Sequence, residues 1–362
     1  MKILVDCRYM RIDAHDGISR FTANIVREIG MRHPVTMLIS DHRQLALLPD
    51  LPWELISSPT NVLREIFVAR QVRTLQPDVI FSPMQTMGSW GRNYGLVLTL
   101  HDLIYYQYRT PPPTMPPIVR VLWRIYHLAW WPQRLMLNRA DAIVAVSETT
   151  ANLMNTHRLT TRPVTIATNA ADDLVALAQP RTRPSVNRLL YMGSFMPYKG
   201  VDVLVRAAAE LPDYELHLLS RITDEDRLRL SRLAPTARVV FHNQVSDDEY
   251  IDLLQGATAL LSASRVEGFG IPVVEAMRMG TPVVISDIPV FHEVGGDAAL
   301  FFDPTSPDAL VAIVRALETP GEWERRSAAV IRAETRFRWG HSAEAIIRAM
   351  TEVVESRGSE RA

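Results

Sequence analysis

The stretch Ser264-Arg265-Val266-Glu267-Gly268-Phe269-Gly270-Ile271-Pro272-Val273-Val274-Glu275-Ala276-Met277 contains two glutamates that are eight residues apart. The apolar run at 258–263, directly before it, has the length of a buried strand. Gly268 and Gly270 allow a tight backbone turn close to a ligand, and Pro272 suits the first turn of a helix. The stretch therefore predicts a strand, a glycine turn and a helix, with Glu267 in the turn and Glu275 in the helix.

This arrangement predicts a site for a ligand that has phosphate and hydroxyl groups. Free backbone N–H groups and the helix dipole favour an anion at the start of a helix. Carboxylates beside such a site suit a hydroxyl-rich ligand, because each carboxylate oxygen accepts hydrogen bonds. The competing interpretation is that both glutamates are solvent-facing charges and that Glu275 only complements the helix dipole.

Length, charge and cysteine content limit the class of protein. A chain of 362 residues exceeds what one hydrophobic core usually supports, so two domains are expected. The net charge of −1 gives no electrostatic case for nucleic acid. Cys7 is the only cysteine, which excludes an intrachain disulfide and favours a reducing cytoplasm. The amino-terminal apolar run is too short for a signal peptide, and none reaches the roughly 18 residues of a spanning helix. We therefore expect a soluble cytoplasmic protein, or one at a membrane surface.

Short apolar strands alternate with amphipathic helices in both halves of the chain, which predicts two parallel sheets covered by helices. In the first half, the predicted strands are 2–6, 35–40, 79–82, 96–100, 142–147 and 164–168, and the predicted helices are 18–30, 62–75 and 118–138. In the second half, the predicted strands are 188–193, 215–219, 238–242, 259–263, 282–286 and 299–302. The predicted helices there are 201–210, 224–233, 247–254, 273–279, 307–317 and 342–354. Pro180 and Pro184 indicate an interdomain linker at 169–187.

A second loop with a charged residue opens the second half. Gly193-Ser194-Phe195-Met196-Pro197-Tyr198-Lys199-Gly200 joins the first predicted strand and helix there, so Lys199 can present an ammonium group to a pyrophosphate. The alternative is an ordinary surface lysine. Taken together with the two glutamates, this loop resembles the pattern of retaining family-four glycosyltransferases, which use nucleotide sugars, have the GT-B fold and contain a Glu-x7-Glu signature. The resemblance covers 189–311 and, more loosely, the whole chain.

The resemblance implies an α/β architecture of two doubly wound Rossmann-like domains that face each other across a cleft. We expect an acceptor-binding domain at 1–180, a nucleotide-sugar-binding domain at 181–340, and a final helix at 341–362 that crosses back to the first domain. The family assigns Glu275 to the ribose hydroxyls, Glu267 to hydroxyls of the donor sugar and Lys199 to the pyrophosphate. The donor loop is completed by Gly268, Phe269 and Gly270.

Further positions follow from the same resemblance. Ser194 stands where the family usually has an arginine, and Arg265 and Arg20 are both candidates to replace that charge. Gly17 opens a helix and is similar to the glycine turn by which the family's first domain approaches its substrates; a plain turn is the alternative. His101 ends a predicted strand, beside the expected position of the transferred sugar. There it is expected to donate to a sugar hydroxyl or to the leaving phosphate.

These expectations describe a retaining, metal-independent hexosyltransferase that needs no separate cofactor, with His101, Lys199 and Glu267 as its catalytic residues. The phrase His101-Asp102-Leu103 resembles mannosyltransferases of the family, which favours GDP-mannose as the donor over a UDP-hexose. The expected acceptor is a hydroxyl of a glycan, a glycolipid or a lipid-linked precursor. A nucleotide-sugar epimerase and a non-catalytic nucleotide-sugar-binding protein are the alternatives.

One acidic cluster has the spacing of a metal-binding Asp-x-Asp pair. It is Asp224-Glu225-Asp226, and it follows Thr223, a residue type that caps helices well. Acids in a first helical turn complement the helix dipole. We therefore expect a helix start here and no metal site.

The segment 115–139 combines tryptophans and arginines without an acidic residue. Trp123, Trp130 and Trp131 alternate there with Arg120, Arg124, Arg134 and Arg139. Such a composition predicts a helix that makes peripheral contact with a membrane. A buried helix with arginines at its margins is the alternative.

Overall fold

The computed structural model describes residues 1–12, 16–111, 115–172 and 181–359. Residues 173–180 of the predicted linker, including Pro180, lie outside the described residues. The strands are β1 (Ile3–Asp6), β2 (Val35–Ile39), β3 (Trp53–Leu55), β4 (Val79–Ser82), β5 (Gly95–Leu100), β6 (Ala142–Ala145), β7 (Val164–Ile166), β8 (Arg188–Tyr191), β9 (Glu215–Leu218), β10 (Val239–Phe241), β11 (Ala259–Ser262), β12 (Val283–Ser286) and β13 (Leu300–Phe302). The helices are α1 (Gly17–Gly30), α2 (Val62–Ile66), α3 (Val68–Arg73), α4 (Ile104–Gln107), α5 (Pro117–Tyr126), α6 (Trp131–Leu137), α7 (Glu148–Thr156), α8 (Val201–Ala209), α9 (Asp224–Leu233), α10 (Asp247–Gln255), α11 (Ile271–Arg278), α12 (Pro289–Gly295), α13 (Pro307–Ala316), α14 (Glu322–Glu334) and α15 (Trp339–Ser359).

The chain divides into two compact units. Unit one consists of Met1–Leu103, Val121–Asn169 and Arg338–Ala362, and unit two of Ile104–Arg120 and Ala170–Phe337. The segment Ile104–Arg120 thus belongs to unit two, although it lies within the predicted first domain. The reason is hydrophobic packing, because Ile104 belongs to one buried cluster with Tyr198 and Val266.

Unit one is built on a parallel sheet with the strand order β3-β2-β1-β4-β5-β6-β7. Every residue of β1, β4, β5 and β6 is buried, as expected for strands with helices on both faces. The carboxyl-terminal helix α15 packs against α1 and against β4 to β7, and the Ser342 hydroxyl donates to the Thr168 carbonyl oxygen. Helix α15 is therefore an integral part of unit one.

Unit two contains a second parallel sheet, with the order β10-β9-β8-β11-β12-β13. Its strand order reverses between β8 and β11, as the order of unit one does between β1 and β4. Such switch points are where doubly wound sheets bind ligands, because the loops that follow the two strands diverge there. The fold thus predicts which loops of each unit are free to form a site.

The structure confirms two parallel sheets covered by helices and corrects several predicted elements. The helix predicted at 118–138 is wrong as a single helix: α5 ends at Tyr126 and α6 starts at Trp131. Pro132 lies in the first turn of α6, where it lacks an N–H to continue a helix from α5. The helix predicted at 62–75 is interrupted at Phe67, whose φ of −100° and ψ of 3° are not helical. Strand β3 and helices α4, α7, α12 and α14 were not among the predicted strands and helices.

Candidate active site

The loops that follow β8 and β11 contact each other at the switch point of unit two. Leu189 of β8 pairs with Ala259 of β11, so the two loops leave the same edge of the sheet. Gly200 ends the first loop with a φ of +64°, and a Cβ there would lie 2.3 Å from the Ala263 carbonyl oxygen. The Arg265 N–H donates to the Tyr198 carbonyl oxygen at 2.8 Å. Glycine at position 200 therefore permits the close approach of the Lys199 loop to the Glu267 loop.

Lys199 and Glu267 form an ion pair across these two loops. The Lys199 Nζ lies 2.5 Å from Glu267 Oε1, and the Ser264 hydroxyl donates to the same oxygen at 2.7 Å. Both charged side chains keep some solvent contact, with 17% and 12% of their surface exposed. Among the residues that the structure describes, no donor reaches Glu267 Oε2. That oxygen can accept from a ligand hydroxyl, while the ammonium group, with three N–H donors, can also hold a phosphate oxygen.

Glu275 lies in α11, one turn beyond the glycine turn. The backbone of Gly270 has a φ of +106°, which favours glycine, and a Cβ there would lie 2.9 Å from the Phe291 ring. Glu275 is 4% exposed, and the Tyr250 hydroxyl of α10 donates to its Oε2 at 3.0 Å. A nearly buried carboxylate in a fixed orientation is suited to binding hydroxyl groups at a defined position.

The other predicted donor residues of unit two differ in what their side chains contact. Gly268 is buried in the loop between Glu267 and α11. The Phe269 ring is also buried and packs edge-on against Phe337 at 5.6 Å, so only its main chain is left to contact a ligand. Ser194 is exposed, and its carbonyl oxygen accepts from the Tyr191 hydroxyl at 2.6 Å. Arg265 is exposed beside the Lys199 loop, in the same unit, whereas Arg20, the other candidate, lies in α1 of unit one.

Two partners of the glutamates were not predicted from the sequence. Ser264 is only three residues before Glu267, so its position in the same loop was a usable indication. Tyr250 lies 25 residues before Glu275, on another helix, and no local pattern connects the two.

Gly17 and His101 lie in unit one. Gly17 is the first residue of α1, and the Asp16 side chain caps this helix by accepting from the Ser19 N–H at 2.8 Å. His101 follows β5 directly, and its Nε2 lies 2.7 Å from the Pro83 carbonyl oxygen. Its ring packs edge-on against Phe21 at 5.1 Å. His101 is therefore held at the carboxyl edge of the sheet, as the sequence indicated.

The environment of His101 changes the chemistry expected of it. A carbonyl oxygen only accepts, so Nε2 must bear a proton and donate it to Pro83. Burial lowers the pKa of His101 below its usual value, which favours the neutral ring. In that ring the remaining nitrogen, Nδ1, has no proton. Neutral His101 can thus accept from a sugar hydroxyl through Nδ1, whereas the predicted donation from this nitrogen to a hydroxyl or a phosphate requires the protonated ring.

The acidic cluster at 224–226 starts a helix. The Thr223 side chain accepts from the Asp226 N–H, which confirms Thr223 as the N-cap of α9 with all three acids in its first turn. Within the described parts of the chain, no group of three or more His, Cys, Asp or Glu side chains is arranged to hold a metal ion.

The tryptophan and arginine segment is largely exposed. Helix α5 buries no residue, so it is not a buried helix, and its Ile118, Leu122 and Ile125 are each more than half exposed. Of the three tryptophans, Trp131 is 65% exposed. Trp123 and Trp130 are half-buried; the Trp123 ring packs at a tilt against a histidine, and the Trp130 ring stacks on another. The aliphatic residues of α5, which were not predicted as contacts, therefore form most of its apolar surface. In the described residues, no helix has the length and apolar character required to cross a membrane.

Comparisons with known proteins agree with this fold. The family model described as Glycosyltransferase Family 4 matches residues 15–173, and the model described as Glycosyl transferases group 1 matches residues 177–336. The chain is 27% identical to the O-antigen chain mannosyltransferase RfbU of Salmonella typhimurium over 51% of this chain and 53% of that protein. It is 34% identical to the MMP alpha-(1->4)-mannosyltransferase of Mycolicibacterium hassiacum over 41% of this chain and 39% of that protein. The chain thus aligns with about half, or less, of the length of these relatives.

A solved structure with the same fold is that of Anabaena HepE in complex with UDP-glucose. It superposes with a TM-score of 0.70 over 97% of this chain and 100% of that one, at 20% sequence identity. The two family models together span both units, and each unit has the parallel sheet that a GT-B domain requires. The chain therefore belongs to the family-four glycosyltransferases and has their GT-B fold.

Proposed function

We propose that this protein is a retaining glycosyltransferase that moves a hexose from a nucleotide diphosphate sugar to a hydroxyl of a glycan or glycolipid acceptor. The observation that supports this most directly is the cluster at the switch point of unit two. It combines Lys199, Glu267 and the nearly buried Glu275 around the start of α11. A cation, a helix N-terminus and two carboxylates suit the pyrophosphate and the hydroxyl groups of such a donor.

Each charged residue then has a separate role. Glu275, oriented by Tyr250, accepts from the ribose hydroxyls, and Glu267 accepts from hydroxyls of the donor sugar through Oε2. Lys199 binds the pyrophosphate while it stays paired with Glu267 Oε1. Arg265 supplies the positive charge of the arginine that the family usually has at the position of Ser194, because the main chain of Arg265 lies beside the Lys199 loop. No metal ion is needed for this charge arrangement.

The chemical step proceeds on one face of the donor sugar. The bond between the anomeric carbon and the phosphate oxygen breaks, and a bond to the acceptor oxygen forms on the same face. The departing phosphate oxygen takes the proton of the acceptor hydroxyl. Negative charge grows on this phosphate in the transition state, so Lys199 and the amides at the start of α11 stabilise that state more than the ground state.

Glu267 and His101 bind the sugar in this scheme and form no covalent bond to it. One oxygen of Glu267 already accepts hydrogen bonds from Lys199 and Ser264, which lowers the nucleophilicity of the carboxylate. His101, kept neutral by burial, accepts from a sugar hydroxyl through Nδ1. Both residues thereby orient the anomeric carbon toward the acceptor.

Mannose from GDP-mannose is the leading candidate for the transferred sugar. Two curated relatives are named as mannosyltransferases, although the alignments cover only part of them. The complex of HepE with UDP-glucose, on the same fold, supports a UDP-hexose as the second candidate. Relatives that build O-antigen chains support a polysaccharide or lipid-linked acceptor.

We place the enzyme in the cytoplasm, at the surface of the membrane that holds a lipid-linked acceptor. Helix α5 and the exposed Trp131 provide an apolar contact surface, and the segment 115–139 contains four arginines and no acid. Apolar residues flanked by arginines favour the interface of an anionic bilayer.

A panel of GDP- and UDP-sugars tests the proposed activity. A donor that binds the folded protein raises its melting temperature, which selects the nucleotide and the sugar. Transfer to a glycan acceptor, or slow hydrolysis of the selected donor with retained anomeric configuration, supports the transferase. A change in the stereochemistry of the free nucleotide sugar would indicate an epimerase. Binding without turnover under all acceptor conditions would indicate a nucleotide-sugar-binding protein.

A further inference from the structure

A second exposed apolar surface lies in unit one, at α2. This short helix buries none of its residues. We define the α2 surface as Val62, Leu63, Ile66, Phe67 and Trp90, which are between 44% and 74% exposed, together with Arg64 and Arg70. Contiguous exposed apolar residues with a polar margin are typical of interaction sites. The donor site lies in unit two and does not use these residues.

The exposed position of Trp90 is fixed by the residues beside it. Gly88 lies so close to α2 that a Cβ there would be 1.9 Å from the Glu65 carbonyl oxygen, and its N–H donates to Glu65 Oε1 at 2.9 Å. Glu65 is in turn paired with Arg8 at 2.6 Å, and the Arg8 side chain is fully buried. Gly91, on the other side of Trp90, has a φ of +80°. The turn at 88–91 is thus hydrogen-bonded to Glu65 of α2, whose carboxylate is fixed by its ion pair with Arg8. This turn holds the Trp90 indole at the surface.

The α2 surface also has a groove with apolar walls. The Phe67 and Trp90 rings lie 5.1 Å apart, and the Arg70 guanidinium lies 4.3 Å from the Trp90 ring centre. Next to them is a cavity of about 610 Å³, lined in part by Leu55, Leu63, Phe67 and Arg64. The groove thus combines an aromatic pair, aliphatic side chains and an arginine. Such side chains suit the headgroup and upper acyl region of a lipid layer, where Trp and Arg are favoured.

The charge of the surface selects an anionic partner. Between residues 57 and 74, Glu65 is the only acidic residue, and its carboxylate is paired with Arg8. Arg64, Arg70 and Arg73 are exposed on the same two helices, α2 and α3. Basic residues beside apolar ones bind anionic lipid surfaces by adding electrostatic attraction to apolar insertion.

The topology of unit one places this surface on the same side of the sheet as α6. The connections from β3 to β4 and from β5 to β6 run in the same direction along the strand order. Crossover connections between parallel strands are right-handed, so both connections lie on the same face. The β1 to β2 connection, which contains α1, runs in the opposite direction and lies on the other face. The exposed Trp131 of α6 and the α2 surface therefore face the same side of unit one.

We propose that the α2 surface is a separate membrane-binding site that inserts Leu63, Phe67 and Trp90 into the interface of an anionic bilayer. It adds a second contact to the membrane association proposed for α5. The α2 surface and α5 have no residue in common, so membrane binding through each of them can be measured independently.

A fluorescent label at position 63 tests this directly. Cys7 is the only cysteine and is buried, so Leu63→Cys provides a single accessible thiol for an environment-sensitive dye. Leu122→Cys gives the matched label on α5, and Met31→Cys, 65% exposed at the end of α1, gives the control on the opposite face. The three labelled proteins are mixed with vesicles of phosphatidylcholine alone, or of phosphatidylcholine with phosphatidylglycerol. We expect a blue shift at 63 with the anionic vesicles, weakened by salt, and none at 31.

A charge substitution gives the second measurement. Leu63→Glu should reduce the partition of the protein onto the anionic vesicles roughly fivefold or more, as expected for one unfavourable charge at the surface. Leu228→Glu, at an exposed leucine of α9 in unit two, is the matched control and should leave partition unchanged.

The outcomes separate this inference from the proposed membrane contact of α5. No shift at 63 with a shift at 122 would overturn the α2 site and leave the α5 contact standing. No shift at either position would overturn both. A shift at 63 that grows with protein concentration in the absence of vesicles would assign the α2 surface to self-association and overturn the lipid assignment. Equal partition of Leu63→Glu and the unsubstituted protein would also contradict it.

Discussion

Replacement of Glu275 by alanine is expected to weaken donor binding much more than it slows transfer. The carboxylate is nearly buried and oriented by Tyr250, so it offers a preorganised acceptor to the ribose hydroxyls. A hydrogen bond to a charged group contributes about 1.5–3 kcal/mol, and 1.4 kcal/mol corresponds to about tenfold in Kd. The expected increase in donor Kd is therefore roughly 10- to 150-fold. The ribose contact is similar in ground and transition states, so kcat should change little.

Isothermal titration with the selected nucleotide sugar measures this Kd, and steady-state transfer measures kcat and KM. Tyr250→Phe is the matched comparison, because it removes the hydrogen bond that orients Glu275 and keeps the carboxylate. The loss of one such bond is expected to raise Kd about fivefold. Unfolding curves of both variants verify that the domain still folds. Unchanged donor affinity and unchanged turnover in Glu275→Ala would refute the ribose assignment.

Four other predictions address the phosphate, a metal, pH and the membrane. Lys199→Ala should lower turnover about 100-fold or more, the scale for one preorganised charge stabiliser, and near-normal transfer rates would mean that another cation holds the phosphate. Transfer should survive EDTA, because Asp224 and Asp226 lie in the first turn of α9; loss of activity that manganese or magnesium restores would contradict this. Burial lowers the pKa of His217, which lies in β9, below 6.5. The unfolded state therefore binds the proton more strongly, and the stability that is present above about pH 6.5 is lost as the pH falls toward the folded-state pKa. The Tm should therefore fall less steeply with acidification in His217→Gln than in the unsubstituted protein. Co-sedimentation should show modest, salt-sensitive binding to anionic vesicles through α5, and equal recovery in the supernatant with neutral and anionic vesicles would refute that contact.

Much of the fold and the order of its site loops could be predicted from the sequence, because both depend on local patterns. Buried parallel strands are short apolar runs, and the residues that follow them are polar where a loop is free to bind. Lys199 and Glu267, each in the loop that follows a predicted strand, could be placed for this reason. The edge strand β3 was missed because it has only three residues, all of them exposed, which is too short for an alternating pattern to be recognised.

Tertiary structure decided how the site residues are oriented and protonated. Tyr250, which donates to Glu275, is on another helix, and the proton on His101 Nε2 is fixed by a carbonyl oxygen 18 residues away. The exposure of α5 also depends on distant segments, because its apolar residues have the spacing of a buried helix and yet none of them is buried. A sequence pattern predicts which residues share a face of a strand or helix. Which groups meet that face, and whether water or protein covers it, depends on segments that are distant in the chain and become neighbours only when the chain folds.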